Sequence, residues 1–231
     1  MSDSRDRQDL HDKQDLRERQ LAHLTRPGSR PALVVVDVQR DFADPECLTE
    51  YGLTDAALSA LDQAITRIGE LVDAARAAEV PVVWVELGSD PARPWRSSNW
   101  LRGGDHDAPM GPEEPCVLGT PGAEWYRVRP AEGEPRVVKR AYSGFLGTEL
   151  EALLRAAGCD WLTVVGLTSE CCVYATAQDA VQLDWPVVVP RDATAAYDLD
   201  VHAAALVQLG LNVAVLGDTD EVVELWKKAA L

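Results

Sequence analysis

The chain has 231 residues, 46% of them apolar, and a formal net charge of −16 from 38 acidic and 22 basic side chains. That length and apolar content suffice for one domain with a full core, and the acidic balance argues against nucleic acid or an anionic membrane as partner. Five cysteines, two of them adjacent and none in a Cys-x-x-Cys spacing, suggest reduced thiols rather than a disulfide framework or a zinc site. No apolar run reaches the roughly 20 residues of a bilayer span and the N-terminus is too charged for a secretory signal, so a cytoplasmic location is expected.

Residues 1–30 differ from the rest. They are dense in Asp, Arg, Gln and Lys, carry Leu10, Leu16, Leu21 and Leu24, and end at Pro27-Gly28. A solvated tail and a helical arm laid on a neighbouring subunit are both open; leucines spaced among helix formers favour the arm. Residues 31–231 then read as one domain. Apolar runs at 32–38, 82–87, 136–139, 161–166, 186–189 and 211–216 predict buried strands. Between them, Leu58, Leu61, Ile65, Ile68, Val72 and Ala75 recur at helical spacing after a Thr54 cap. Leu150, Leu153, Leu154 and Ala157 do so before Gly158, and Val201, Ala204, Ala205 and Leu209 before Gly210; Val222, Leu225 and Trp226 indicate a last helix. Alternation of this kind predicts a three-layer α/β/α sandwich on a six-stranded, mainly parallel sheet. The long stretch 88–135 lacks a clear period but holds Trp95, Trp100, Trp125 and Tyr126. It reads as a pocket wall or lid, with packing onto the core or a partner subunit as the alternative.

Three short segments carry chemistry. Cys172 follows the apolar run 161–165 at the head of a helix-like segment, where unpaired N–H groups and the helix dipole favour a thiolate near neutral pH. A small buried hydrophobe is the commoner fate of a free cysteine. Asp37 ends the first apolar run, where a carboxylate is a ligand-binding or catalytic candidate, and Lys139 ends the third, where a lysine also serves to guard an edge strand. None of the four histidines, His11, His23, His106 and His202, falls in these segments, which argues against a Cys–His pair.

Together the segments resemble the isochorismatase-like cysteine hydrolase superfamily. The resemblance rests on Asp37, Gln39 and Phe42, on Lys139 and Phe145, and on Gly166, Ser169, Cys172, Val173, Thr176, Ala177, Asp179 and Ala180, with Ser169 where a Thr is usual. It spans about residues 31 to 217 and implies the strand order 3-2-1-4-5-6. It also implies a Cys172 nucleophile, Asp37 as the proton carrier, Lys139 as charge stabiliser, and an oxyanion hole from the N–H groups of Thr168 and Cys172 beside a cis Leu167–Thr168 peptide. Thr168 and Phe42 are the expected substrate-side contacts, Cys171 is expected to point away from the crevice, and a homodimer or homotetramer is expected.

Zinc-dependent members carry an Asp-x-His pair and a further His after the second strand. Here Glu86 and Asp90 stand in that region with no histidine before His106, so neither a metal nor another cofactor is expected. Members that cleave a vinyl ether do not need the thiol, so its presence favours C–N hydrolysis. The substrate class implied is a small amide, ureido or carbamoyl compound, as in the N-carbamoylsarcosine amidase, biuret hydrolase and ureidoacrylate hydrolase branches, with Arg93, Arg96 and Arg102 as candidate carboxylate contacts. Vinyl ether hydrolysis and a non-catalytic oligomeric scaffold are the alternatives.

Overall fold

The structure is a computed structural model that describes residues 14–93, 100–101, 103 and 114–229. Seven parallel strands form one sheet: β1 (Pro31–Val36), β2 (Val82–Leu87), β3 (Arg136–Lys139), β4 (Trp161–Leu167), β5 (Val187–Pro190), β6 (Thr194–Ala195) and β7 (Val215–Gly217). Their order is β3-β2-β1-β4-β5-β7, with the short β6 pairing the end of β4. This is the expected order with one strand added; two residues are too few to show a period. Strands β1, β2 and β4 are buried throughout, as parallel strands covered on both faces must be.

One face is covered by α3 (Asp55–Ala77) and α7 (Thr219–Ala229). The Thr54 side chain accepts the Ala57 N–H to start α3, which then buries Leu61, Ile65, Ile68 and Leu71 against Leu33, Val35 and Trp84. The other face is covered by α4 (Leu150–Ala156), α5 (Cys172–Gln182) and part of α6 (Leu199–Asn212), packed on Val34, Val36, Val83, Val85 and Val164.

The last strand begins later than its apolar run suggests. Helix α6 continues through Gly210 to Asn212, so Leu211 belongs to the helix. Gly210 does not end it; an added Cβ there would press on Leu216 Cδ1, so the glycine admits close helix–strand packing. Only Ala205 and Leu209 of α6 are fully buried, while Val201, Val207 and Leu211 are 43%, 62% and 69% exposed. Residues 201–217 carry no charged side chain, so the apolar pattern runs round the whole helix and does not mark its inner face.

Residues 14–24 form a helix, α1, on this chain's own domain. Leu24 is 2% exposed within the α3-side core, and Arg17 donates to Leu216 O at 2.7 Å and to the Glu221 carboxylate at 2.6 Å. Trp125 and Tyr126 are half-buried against the same core, with Trp125 edge-on to Trp84 at 4.8 Å. They therefore pack; Trp100 is exposed, and Trp95, Arg96, Arg102 and His106 lie outside the described residues. Leu24→Ala is expected to lower stability by about 2–4 kcal/mol, seen as a reduced urea midpoint at unchanged slope. An unchanged midpoint would show that α1 does not dock on the core.

Candidate active site

The ends of β1, β3 and β4 converge at one point of the sheet. Just past β1, Asp37 takes a left-handed backbone (φ 51°), and its N–H reaches Val85 O at 2.8 Å, carrying the β1–β2 pairing one residue past the strand. Gly166 of β4 pairs with Val36, at φ 124°, and a Cβ there would collide with the Val36 carbonyl, so only glycine lets the two strand ends meet. Lys139 closes β3 in register with Leu87, and Cys172 is the first residue of α5.

Lys139 joins the three. Its Nζ lies 2.8 Å from Asp37 Oδ2, 3.4 Å from Cys172 Sγ and 2.9 Å from Ala141 O. Asp37 and Lys139 have no solvent exposure and Cys172 has 7%. Lys139 meets Asp37 as a buried ion pair.

Burial lifts the Asp37 carboxyl above its usual range, against the opposing pull of the Lys139 charge. Burial also works against the Lys139 ammonium, but the Asp37 charge, with the hydrogen bonds to Asp37 and Cys172, outweighs it and raises the lysine above its ordinary value. The Cys172 thiol is pushed well up by its hydrogen bond to Cys171, by burial and by the Asp37 charge, with Lys139 opposing. Cys172 therefore rests as a thiol at neutral pH. The Cys171 hydrogen bond, burial and the adjacent carboxylate thus oppose the ionisation that a helix N-terminus favours. Cys171 does not point away either: its half-buried sulfur sits 4.0 Å from that of Cys172.

The loop leading to Cys172 is pinned from several sides. The Leu167–Thr168 peptide is cis, and the Thr168 carbonyl accepts the N–H groups of Cys171 and Val173 at 3.2 and 3.1 Å. Thr168 Oγ1 donates to Glu170 Oε1 at 2.8 Å. Ser169 is buried, with its N–H on Ala195 O of β6 and its Oγ 3.0 Å from His202 Nδ1 of α6. The N–H of Cys172 lies in the first turn of α5, where helix donors have no intrahelical acceptor. Phe42 lies in α2 (Arg40–Ala43), half-buried against the α3-side core, and its carbonyl accepts the Tyr197 hydroxyl at 3.0 Å.

Three supports had no role assigned from the sequence. Gln39, fully buried, gives Nε2 to Leu87 O and Ala123 O at 3.0 Å each and accepts the Leu87 N–H at 2.8 Å, clamping the ends of β1 and β2 together. Thr176 of α5 accepts the Gly144 N–H at 2.9 Å, tying the helix to the loop after β3. Both fall inside the recognised motifs, which was the available signal. His202 had none, since its contact is made 33 residues from Ser169.

Glu86 and Asp90 are engaged by arginines: Arg136 Nη2 meets the two Glu86 oxygens at 2.8 and 3.0 Å, and Arg140 lies 3.7 Å from Asp90. Among the described residues no group of three or more His, Cys, Asp or Glu is arranged to hold a metal. Arg93 is exposed, and its carbonyl receives Arg140 Nη2.

A buried carboxylate, ammonium and thiol at the switch point of a doubly wound sheet define an α/β enzyme crevice. Residues 31–221 match the family described as Isochorismatase domain, and the chain belongs to that family. It is 34% identical over 191 residues to the ureidoacrylate amidohydrolase RutB of Methylobacterium radiotolerans, spanning 77% of this chain and 72% of that protein. A cysteine hydrolase from Pseudomonas syringae pv. phaseolicola superposes with a TM-score of 0.72 at 26% identity, covering 87% of this chain and 93% of that one. An N-carbamoylsarcosine amidase from Thermoplasma acidophilum does so at 0.63 and 29%, covering 83% and 97%.

Proposed function

We propose that the protein is a metal-independent cysteine amidohydrolase that cleaves a C–N bond of a small amide, ureido or carbamoyl compound through a thioester on Cys172. The observation that carries this reading is the Lys139 ammonium set between the Asp37 carboxylate and the Cys172 sulfur, out of water. A scaffold has no use for it: burying two charges beside a thiol costs desolvation energy that apolar residues of the same size avoid. The kinship with a ureidoacrylate amidohydrolase and an N-carbamoylsarcosine amidase supports the substrate class.

Asp37 accepts the Cys172 proton as the sulfur attacks the carbonyl carbon, and the raised carboxyl suits both halves of that exchange. The resulting oxyanion takes hydrogen bonds from the N–H groups of Thr168 and Cys172. Collapse expels the amine, which receives its proton from Asp37 and leaves the thioester. Asp37 then takes a proton from water as that water attacks the thioester carbon, and the second collapse returns the proton to Cys172 with release of the acid. Lys139 keeps the carboxylate and the transient thiolate in place.

Release of ammonia or amine from a panel of ureas, carbamoyl amino acids and amides, with a vinyl ether substrate included, tests the reading. Cys172→Ala is expected to abolish turnover with the fold intact, and Asp37→Asn to reduce it by roughly 10²–10⁴-fold. Near-normal turnover in either variant would reject the mechanism, and selective vinyl ether cleavage would reject the substrate class.

The direction of the Asp37 shift sets a pH signature. Turnover needs the ionised carboxylate and burial raises its pKa, so the acid limb of kcat/KM is expected above the ordinary carboxylate value of 3.8. Lys139→Met removes the charge that opposes burial and should move the limb further up, the observed value belonging to the coupled site. A limb that stays put in Lys139→Met would remove Asp37 from proton transfer.

With Glu86 and Asp90 held by arginines, activity is expected to survive exhaustive chelation. Stoichiometric zinc, with loss of rate on its removal, would overturn metal independence.

A further inference from the structure

Cys171 and Cys172 are consecutive, and their sulfurs are 4.0 Å apart, near van der Waals contact. The other three cysteines are placed elsewhere: Cys47 follows α2, Cys116 turns its thiol to Gly122 O, and Cys159 lies beyond α4 with its carbonyl on the Trp185 indole. Cys171 is half-buried and stands just outside α5 as its cap residue, at φ −120° and ψ −93°. Its backbone lies outside the helical conformation of Cys172 but is bonded through its N–H to Thr168 O and through its carbonyl to the Ala175 N–H, so closer approach of the sulfurs comes from rotation of the side chain. The Lys139 ammonium, 3.4 Å from the Cys172 sulfur, favours negative charge at that atom.

We propose that this pair is an oxidative modification site, in which Cys171 resolves a peroxide-oxidised Cys172 as a reversible disulfide between the two neighbours. In the first step the Cys172 sulfur attacks one oxygen of hydrogen peroxide and the O–O bond breaks. Cys172 becomes the sulfenic acid, and the departing hydroxide takes up the thiol proton to leave as water. In the second step the Cys171 sulfur attacks the sulfenic sulfur, the S–O bond breaks, and the hydroxyl leaves as water with the Cys171 proton. The two thiols have given two electrons and two protons to the peroxide. Closing the bridge brings the sulfurs from contact to about 2.05 Å, a movement the cap residue can supply. A ring of adjacent cysteines is strained, so a small dithiol opens it again by exchange. Cys172 is thereby kept from the sulfinic and sulfonic acids that no thiol reverses. The loss of turnover that accompanies the bridge rests on the nucleophilic role proposed for Cys172; the bridge itself does not.

The experiment treats the reduced full-length protein and Cys171→Ser with hydrogen peroxide and reads both by intact mass and peptide fragmentation, before and after dithiothreitol. The wild type is expected to lose the mass of two hydrogens, located at Cys171 and Cys172, and to regain it with dithiothreitol. The variant is expected to gain two oxygens at Cys172 that dithiothreitol does not remove. Addition of oxygen to wild-type Cys172 at the variant's rate, a bridge from Cys172 to another cysteine, or an unmodified Cys172 would each overturn the proposal. Turnover is followed in parallel wherever the substrate panel yields a substrate, with each protein's untreated rate as its reference. Absence of turnover before peroxide counts against the hydrolase reading alone, while the mass result decides the disulfide.

Discussion

A fully buried ammonium is unfavourable unless negative charge meets it, and Lys139 is buried completely. Asp37 meets it at 2.8 Å, and the rest of the site follows from holding those two groups together. They belong to strands that do not touch, because β2 lies between β1 and β3. The contact is possible because both sit at C-terminal strand ends, Asp37 just past β1 with a left-handed backbone and Lys139 as the last residue of β3, with the long lysine stem reaching across the intervening strand. Gln39 locks β1 to β2 at that level, and Gly166 brings β4 against β1 so that the helix bearing Cys172 starts beside the pair. Removing either charge alone would leave the other buried and unpaired, a far larger loss than removing both.

The shifts at the three groups describe one arrangement of protons. Lysine stays charged, the carboxyl is drawn towards neutrality by burial, and the cysteine holds its proton. In the proposed mechanism a carboxylate of raised pKa is a better acceptor for the thiol proton than an ordinary one. The resting thiol also keeps the sulfur inactive until an electrophile is present. That differs from a cysteine ionised by a helix dipole: here the Cys171 hydrogen bond, burial and the neighbouring carboxylate all act against a thiolate.

The parts legible in the sequence share a property. Asp37 and Lys139 stand at the ends of apolar strands and Cys172 a short loop beyond another, and in a parallel sheet those ends face one side whatever the details of packing. Strands buried on both faces announce themselves as unbroken apolar runs, so β2 and β4 were readable to within a residue and β1 to within two. Helix α6 was not, because apolar residues surround it and spacing alone cannot say which side turns inward. Leu211 read as strand for the same reason, being apolar beside an apolar strand. The contacts of Ser169 with His202 and with β6, and the swing of Cys171 towards Cys172, depend on tertiary approach or on a single side-chain rotation, which no periodicity encodes.

Depth also separates reaction from selection. The groups proposed to make and break bonds are buried at two strand ends and the start of α5, held by backbone pairing and by Gln39 and Thr176. Around the same end of the sheet the exposed side chains belong to loops: Tyr51 before α3, and Tyr142 and Leu146 between β3 and α4, each about half or more exposed. Loops of this kind change without disturbing a parallel sheet, because no strand register passes through them. On the proposed reading, preference among amides rests with such loop side chains, while the thioester chemistry rests on strand ends and the start of α5, which loop changes leave in place.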